Sequence, residues 1–304
     1  MGATHKIMRA VNLSYIIATH NRLPFLKITL EKLVSELQSD EEIIVVDGDS
    51  VDGTKDYLQQ LYNAGKIQHF VSEPDKNQAH GWNKAMLLAN GTILKKIIDD
   101  DVFCYEAIRI CKAYMLEHAA VDVVISDDLS GSLYDSAIIS KHTRLPQYKK
   151  WRSGLMPSFT FRDVNILMRR SSLSFIGLYN TDFIMMDWEY ALRISYFKAN
   201  IVYYTGCNAL TVGHNQTVSS LKSRQLIIEQ GKKAEAFYAY AGDGADITYW
   251  SIIKIAVGKL IHKTLPGKAA SDFNPKNISD IYNHFYEALA EANKNVPFTF
   301  LDSH

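Results

Sequence analysis

From residue 13 to residue 126, short apolar runs alternate with longer stretches of helical spacing. Leu13–Ala18 is an apolar run ending at Thr19-His20-Asn21-Arg22. It predicts a buried strand leaving a sheet into a polar loop. Pro24 opens a helix on which Leu26, Leu30, Leu33 and Leu37 share one face. Glu42–Val46 predicts a second strand, Thr54–Ala64 a helix stopped by Gly65, and Lys66–Val71 a third strand. Gln78–Ala89 reads as a helix closed by Asn90-Gly91. Thr92–Ile98 is a fourth strand, followed by a helix to about His118 and a strand over Val121–Ser126. Alternating strands and helices predict an α/β fold with a largely parallel sheet covered on both faces.

The pattern weakens between Asp127 and Arg162, which is expected to form loops and short strands over the site. Asn165–Met168 and Ile201–Tyr204 are expected strands, and Asp187–Phe197 an expected helix. Past Val218 the chain turns mostly helical, with helices expected over Leu221–Tyr240, Ile247–His262 and Ile278–Asn293. No internal repeat or low-complexity tract interrupts it.

In open α/β sheets, ligands bind at the carboxyl ends of strands. Thr19–Arg22, Asp47–Ser50 and Asp99–Asp101 all follow predicted strands, so three turns converge on one edge. In an extended chain Asp99 and Asp101 would point the same way and could face one divalent cation. Oxygen ligands suit Mg²⁺ or Mn²⁺, which also bind diphosphates. An acidic turn capping the next helix is the plainer alternative. Asp47 and Asp49 could accept hydrogen bonds from a base or a ribose, or merely shape a turn. The Gly-Lys-Ser/Thr core of a phosphate loop and the dinucleotide Gly-x-Gly-x-x-Gly pattern are both missing.

Composition narrows the classes. Lysine plus arginine and aspartate plus glutamate stand at 33 each, so no bulk charge calls for a nucleic-acid partner. Cys104, Cys111 and Cys207 lack zinc-site spacing and read as free thiols of a reducing compartment. Met1–Ala10 does not read as a signal peptide. No stretch reaches the roughly 18 apolar residues of a membrane span. A cytoplasmic location is expected, with peripheral membrane contact as an option.

Four of these segments resemble family 2 glycosyltransferases, in that family's order and spacing. Ile16–Arg22 is similar to the first nucleotide-binding strand and loop, and Val45–Thr54 to the second signature. Ser72–Ala85 resembles the third, and Gly91–Asp101 the strand carrying the metal motif. The resemblance implies a GT-A fold, in which a nucleotide-binding half joins an acceptor-binding half over residues 1–219. Residues 220–304 would form a helical carboxyl-terminal extension. It further implies a nucleotide-sugar donor (a UDP-sugar favoured), Mn²⁺ or Mg²⁺, and inversion at the anomeric carbon. Thr19, Asn21 and Arg22 match the donor loop and Asp47 and Asp49 the base and ribose positions. Asp75 and His80 lie in the third motif, where His80 and Trp82 replace residues commonly acidic and small or basic. Asp99 and Asp101 match the metal and diphosphate positions, with Asp100 a rival because the triplet leaves the register open by one residue.

For the second half, Met185–Arg193 resembles the family's acidic helix start, and Met186 stands where its first acid usually lies. Asp187 is the expected general base, and Glu189 the second choice. His214, in a loop like the one after the family's last strand, could join the metal shell or touch the diphosphate. The expected acceptor is a saccharide or lipid-linked saccharide, in polysaccharide or glycoconjugate synthesis at the cell envelope. Trp250–Lys263 is apolar with interspersed lysines. It could pack on the catalytic domain, pair two subunits, or lie on a membrane. Two rival functions share the acids: a sugar-nucleotide nucleotidyltransferase, which normally needs a glycine-rich basic first loop, and a non-catalytic binding module of the same fold.

Overall fold

A computed structural model describes residues 10–214, 224–240, 242, 277–294 and 297–302. Its strands are β1 (Leu13–Thr19), β2 (Glu41–Asp47), β3 (His69–Ser72), β4 (Ile93–Lys96), β5 (Val102–Phe103), β6 (Val123–Ser132), β7 (Asp135–His142), β8 (Leu167–Arg169), β9 (Ile201–Gly213) and β10 (Phe300–Leu301). Its helices are α1 (Leu23–Glu36), α2 (Thr54–Asn63), α3 (Gln78–Leu88), α4 (Tyr105–Glu117), α5 (Leu145–Arg152), α6 (Leu173–Ile176), α7 (Met186–Tyr196), α8 (Arg224–Tyr238) and α9 (Ile278–Lys294). The expected helix over Ile247–His262, and with it Trp250–Lys263, lies outside the described residues. Among those residues no helix is long and apolar enough to cross a membrane.

One sheet runs β10-β9-β6-β8-β4-β1-β2-β3. The pairs β1–β2, β1–β4, β2–β3 and β6–β9 are parallel, as the alternating pattern predicts. The sheet as a whole is mixed, which corrects the expectation of a largely parallel one. β8 lies antiparallel between β4 and β6, and β5, β7 and β10 also pair antiparallel. Burial alone cannot reveal strand direction, because a buried strand reads apolar either way. The direction of β8 matters for the site. It brings the start of β8 and the end of β6 to the edge where β1, β2 and β4 end.

Two further expectations are corrected. The stretch from Asp127 to Arg162 is largely ordered: β6 runs on to Ser132, β7 returns beside it, and α5 follows. Its outer strand, β7, is mostly exposed and therefore reads polar. The strand expected over Ile201–Tyr204 continues to Gly213 through a register break opposite Ser126–Asp128. Gly206 sits in that break, where a Cβ would fall 2.5 Å from the Tyr204 ring. This kink splits β9 between β10 on one side and β5 on the other.

Strand alternation separates the core into two faces. Ile16, Ile44, Val46 and Leu94 pack with Trp82, Tyr148 and Tyr190 from α3, α5 and α7. Leu13, Tyr15, Ile17, Ile43, Val45 and Ile93 pack with Leu26, Leu30, Ile108 and Cys111 from α1 and α4. A third cluster joins Val102, Leu129, Leu210 and Val212 to Tyr282, Phe285 and Leu289 of α9. Ile278–Lys294 and Phe300–Leu301 are thus attached to the sheet, as α9 and as β10.

Two adjacent lysines lie inside β4, one on each face. Lys96 pairs with Asp163 and lies 4.3 Å from the Trp82 ring centre. Lys95 donates to the Val164 carbonyl and to Asn208 Oδ1 at 3.3 Å. Burial is the main cause pushing the Lys95 ammonium down to about 7. Between that value and the ordinary lysine range of about 10.4, the unfolded chain holds a proton that the folded one has released. Stability through this group therefore rises with pH from 7 to 10. Denaturant titrations should show wild type gaining roughly 2 kcal/mol on Lys95→Met between pH 7 and pH 9. Parallel curves for the two proteins would refute this account of Lys95.

Candidate active site

The first two turns hold each other. Gly48 N–H donates to the Thr19 carbonyl at 2.9 Å, and His20 Nδ1 lies 2.9 Å from the Gly48 carbonyl. Asn21 takes a left-handed φ of 52°, which short polar side chains tolerate. Its amide donates to Ser50 Oγ at 2.7 Å, and its Oδ1 accepts from Val51 N–H at 2.8 Å. Asp47 is fully buried and accepts from the Ser50 amide and hydroxyl and from Ser72 Oγ at 2.7 Å. Asn21 and Asp47 thus fasten turn to turn. Asp49 differs, being exposed on the turn with φ 65°.

Between these turns and the start of α3 opens a cavity of about 410 Å³. Ala18, Thr19, His20, Arg22, Gly48, Asp75, Asn77, Gln78 and Asp99 line it. Four of the residues expected at the site, Thr19, Arg22, Asp75 and Asp99, line it. Asp75 Oδ1 lies 2.8 Å from Lys84 Nζ and 3.1 Å from His80 Nδ1. Its other oxygen rests over Gly81, where an added Cβ would sit only 2.7 Å away. The His80 amide is capped by Asn77 Oδ1 at 3.1 Å, which fixes the start of α3.

The acidic triplet departs from the extended geometry expected of it. β4 ends at Lys96, and Asp99–Asp101 form a turn. The three carboxylates therefore point to three sets of partners, all buried. Asp99 accepts from Thr19 Oγ1 at 2.6 Å and from Arg22 at 3.3 Å. Asp100 meets Arg22 and, at 2.7 Å, His214 Nε2. Asp101 accepts from the Val212 amide at 2.8 Å, inside the sheet. The imidazole of His214 stacks on Phe25 with ring centres 4.9 Å apart. Among the described residues no three His, Cys, Asp or Glu side chains already converge as a metal cage.

Crowding sets the electrostatics of the turn. Burial first, and then the charge of Asp100, push Asp99 up to about 7. Burial and Asp100 likewise raise Asp101. Burial opposes ionisation of Asp100 too, yet His214 and Arg22 outweigh it and hold that carboxyl below its usual range. Of the three, Asp100 is the one whose partners favour its charged form.

Asp187 lies half-buried in the first turn of α7. A helix amino terminus favours a carboxylate there. Glu189, the second choice for a base, is fully buried and forked onto Arg193 at 2.6 and 2.9 Å, with the Tyr238 hydroxyl also donating to it. It is occupied in holding α7 and α8. The loop before α7 is tied to the third motif: Asn77 Nδ2 donates to the Thr181 carbonyl at 2.7 Å, and Asn83 exchanges two bonds with the Tyr179 backbone.

The structure adds residues that the reading of the chain passed over. Ser50 joins two turns. Lys84 neutralises Asp75. Asp128, on the same sheet edge, is held by Arg162 at 2.5 Å and Asn165 at 3.1 Å. The signal for Asp128 was present, since Asp127-Asp128 follows an apolar strand as Asp47 and Asp99 do. For Arg162 and Tyr282 the sequence carried no local signal.

Three comparisons bear on this arrangement. A curated relative, a PGL/p-HBAD biosynthesis glycosyltransferase of Mycobacterium bovis, is 27% identical over 195 residues, which is 61% of this chain and 70% of the relative. Staphylococcus aureus TarS 1-349, solved with UDP-GlcNAc, superposes with a TM-score of 0.55 at 14% identity, covering 94% of this chain and 93% of that one. Mannosyltransferase PcManGT from Pyrobaculum calidifontis, solved with GDP-Man and Mn²⁺, gives 0.52 at 16% identity, covering 93% and 86%. The likeness to these two establishes the GT-A fold. The model of glycosyl transferase family 2 matches residues 14–177, more than half of the chain and every turn that lines the cavity. With those turns gathered at one sheet edge, the chain belongs to glycosyltransferase family 2.

Proposed function

We propose that this protein transfers a hexose from a nucleotide diphosphate sugar, with a UDP-sugar favoured, to a saccharide or lipid-linked saccharide hydroxyl. The reading adds inversion and a role in polysaccharide or glycoconjugate synthesis. One observation carries it: three strand-end turns enclose a cavity of about 410 Å³ whose inner end is Thr19, Arg22 and the acidic turn. That volume falls within the usual range of small-ligand sites. The exposed Asp49 is assigned to the ribose or base. Asp75 and His80 are assigned to the wall beside the base. Asp47 and Asn21 act by holding the turns.

A divalent cation fits this turn. Three buried carboxylates face one bonded guanidinium, and the excess negative charge contributes to the raised Asp99. Asp100 and His214, already 2.7 Å apart, offer the oxygen and nitrogen donors that would hold Mn²⁺ or Mg²⁺, with Asp99 beside them. Asp101, expected as a ligand, is assigned instead to fixing the turn through the Val212 amide. Such a cation supplies charge to the departing diphosphate. Arg22 supports the same charge from the cavity side. Asp187 takes the proton of the acceptor hydroxyl as its oxygen bonds to the anomeric carbon. The bond from that carbon to the diphosphate oxygen breaks on the opposite face, with oxocarbenium-like character.

A thermal-shift screen of UDP-, GDP-, CMP- and dTDP-sugars, with and without Mn²⁺, tests the donor assignment. One nucleotide should raise Tm in a Mn²⁺-dependent way, and Asp100→Asn should lose both that shift and about 10²–10³-fold in kcat. A variant that keeps both would remove the acidic turn from the mechanism. Asp187→Asn should lower kcat by about 10²–10⁴-fold with donor affinity retained, as read by calorimetry beside turnover. Near-normal turnover would move the base elsewhere. Gly81→Ala should drive Asp75 from its seat and raise the donor KM about tenfold, with kcat little changed. An unaltered KM would free Asp75 from the donor site.

A further inference from the structure

The acidic turn is gripped from far along the chain. Tyr282, on α9, donates its hydroxyl to the Asp100 backbone carbonyl at 2.6 Å, and both residues are buried. The Tyr282 ring lies 6.5 Å from that of Phe25, whose own ring stacks on His214. Tyr282, Phe25 and His214 thus form a row beside Asp100, whose carboxylate is held by His214 and Arg22.

The helix carrying Tyr282 is registered against the sheet at three further points. Phe285 lies over Gly131, where an added Cβ would fall 2.7 Å from its ring. Leu289 packs in the cluster that contains Leu210 and Val212. Asn293 brackets Cys207, with its Oδ1 accepting from the Cys207 amide at 2.9 Å and its Nδ2 donating to the Cys207 carbonyl at 2.8 Å. Helix position is therefore set independently of the hydroxyl. The Tyr282 hydroxyl is left to act on the turn.

A peptide carbonyl buried beside three carboxylates needs a donor, because an unpaired one carries a desolvation penalty. With its carbonyl held, the Asp100 peptide cannot rotate, and the side chain leaves the backbone in one direction, towards Arg22 and His214. We propose that Tyr282 is a positioning residue for the acidic turn: its hydroxyl orients the Asp100 peptide so that the carboxylate meets the cation and the diphosphate. This rests on reading Asp100 as the cation-side acid. It makes α9, which lies beyond the residues matched by the family model, part of the donor site.

The test uses the full chain as wild type, Tyr282→Phe and Asp100→Asn, with UDP and Mn²⁺ as probes. Titration calorimetry follows UDP binding in Mn²⁺, and initial rates give donor KM, acceptor KM and the half-saturating Mn²⁺ concentration. Tyr282→Phe keeps the ring and its packing. It should weaken UDP binding and raise both donor KM and the Mn²⁺ requirement by about three- to tenfold, with acceptor KM unchanged. A hydroxyl that merely secures the helix would lower Tm and leave those constants alone. The proposal is overturned if Tyr282→Phe binds UDP and responds to Mn²⁺ as wild type does while Asp100→Asn fails to. If Asp100→Asn also binds UDP and Mn²⁺ normally, the reading of the acidic turn is at fault and the role of Tyr282 falls with it.

Discussion

Three buried carboxylates in consecutive positions are the constraint around which the rest of this molecule is arranged. Two unit charges about 5 Å apart repel by about 3 kcal/mol at a protein surface, more than the roughly 1 kcal/mol net worth of an ordinary hydrogen bond. Asp99, Asp100 and Asp101 can therefore share one turn only if each is met by partners, with Arg22 bridging the first two and the third turned into the sheet. Thr19 ends β1 and Arg22 lies in the loop after it, His214 directly follows β9, and the Val212 amide comes from within β9. Partners drawn from so many places make the turn a junction between the two halves of the sheet.

The sheet is built to deliver those partners. Parallel β1, β2 and β4 place three loops at one edge. Beyond β4 the order changes, because β8 enters antiparallel and β6 and β9 resume the original direction. The kink at Gly206 lets the second half of β9 turn away from β10 and run beside β5, which ends with Val212 against Asp101 and His214 against Asp100. The α9 helix packs on this second half, so the cluster that closes the core also backs the acidic turn.

The site divides residues of similar chemistry by what they touch. Asp47, Asn21 and Ser50 spend their hydrogen bonds on one another and fix the loops. Glu189 spends its charge on Arg193. Asp49 is exposed on its turn, Asp187 is half-buried at the start of α7, and Asp75 and Arg22 line the cavity. Glu189, fully buried on Arg193 and Tyr238, is committed to holding the helices, whereas the proposed base Asp187, two residues earlier, is only half-buried.

Local pattern was enough for much of this protein. The first four strands, the helices between them and the polar turns at their ends were legible from residues 13 to 118, because apolar period and turn chemistry act over a few residues. The polar turns at Thr19, Asp47 and Asp99 were legible for the same reason, whereas Asp75 entered only through the resemblance to family 2. Tertiary structure alone decided the direction of β8, the order within Asp127–Arg162 and the full length of β9. Each depends on which distant strand lies alongside, and burial looks the same in either direction. It also decided the aim of each acid: an extended triplet would have paired Asp99 with Asp101, whereas the turn sends Asp101 into the sheet and joins Asp100 to His214. The partners that set those directions, Val212, His214 and Tyr282, lie more than a hundred residues away along the chain. Sequence determined which residues could carry charge at this edge; the long-range contacts that share out that charge determined which of them are left to use it.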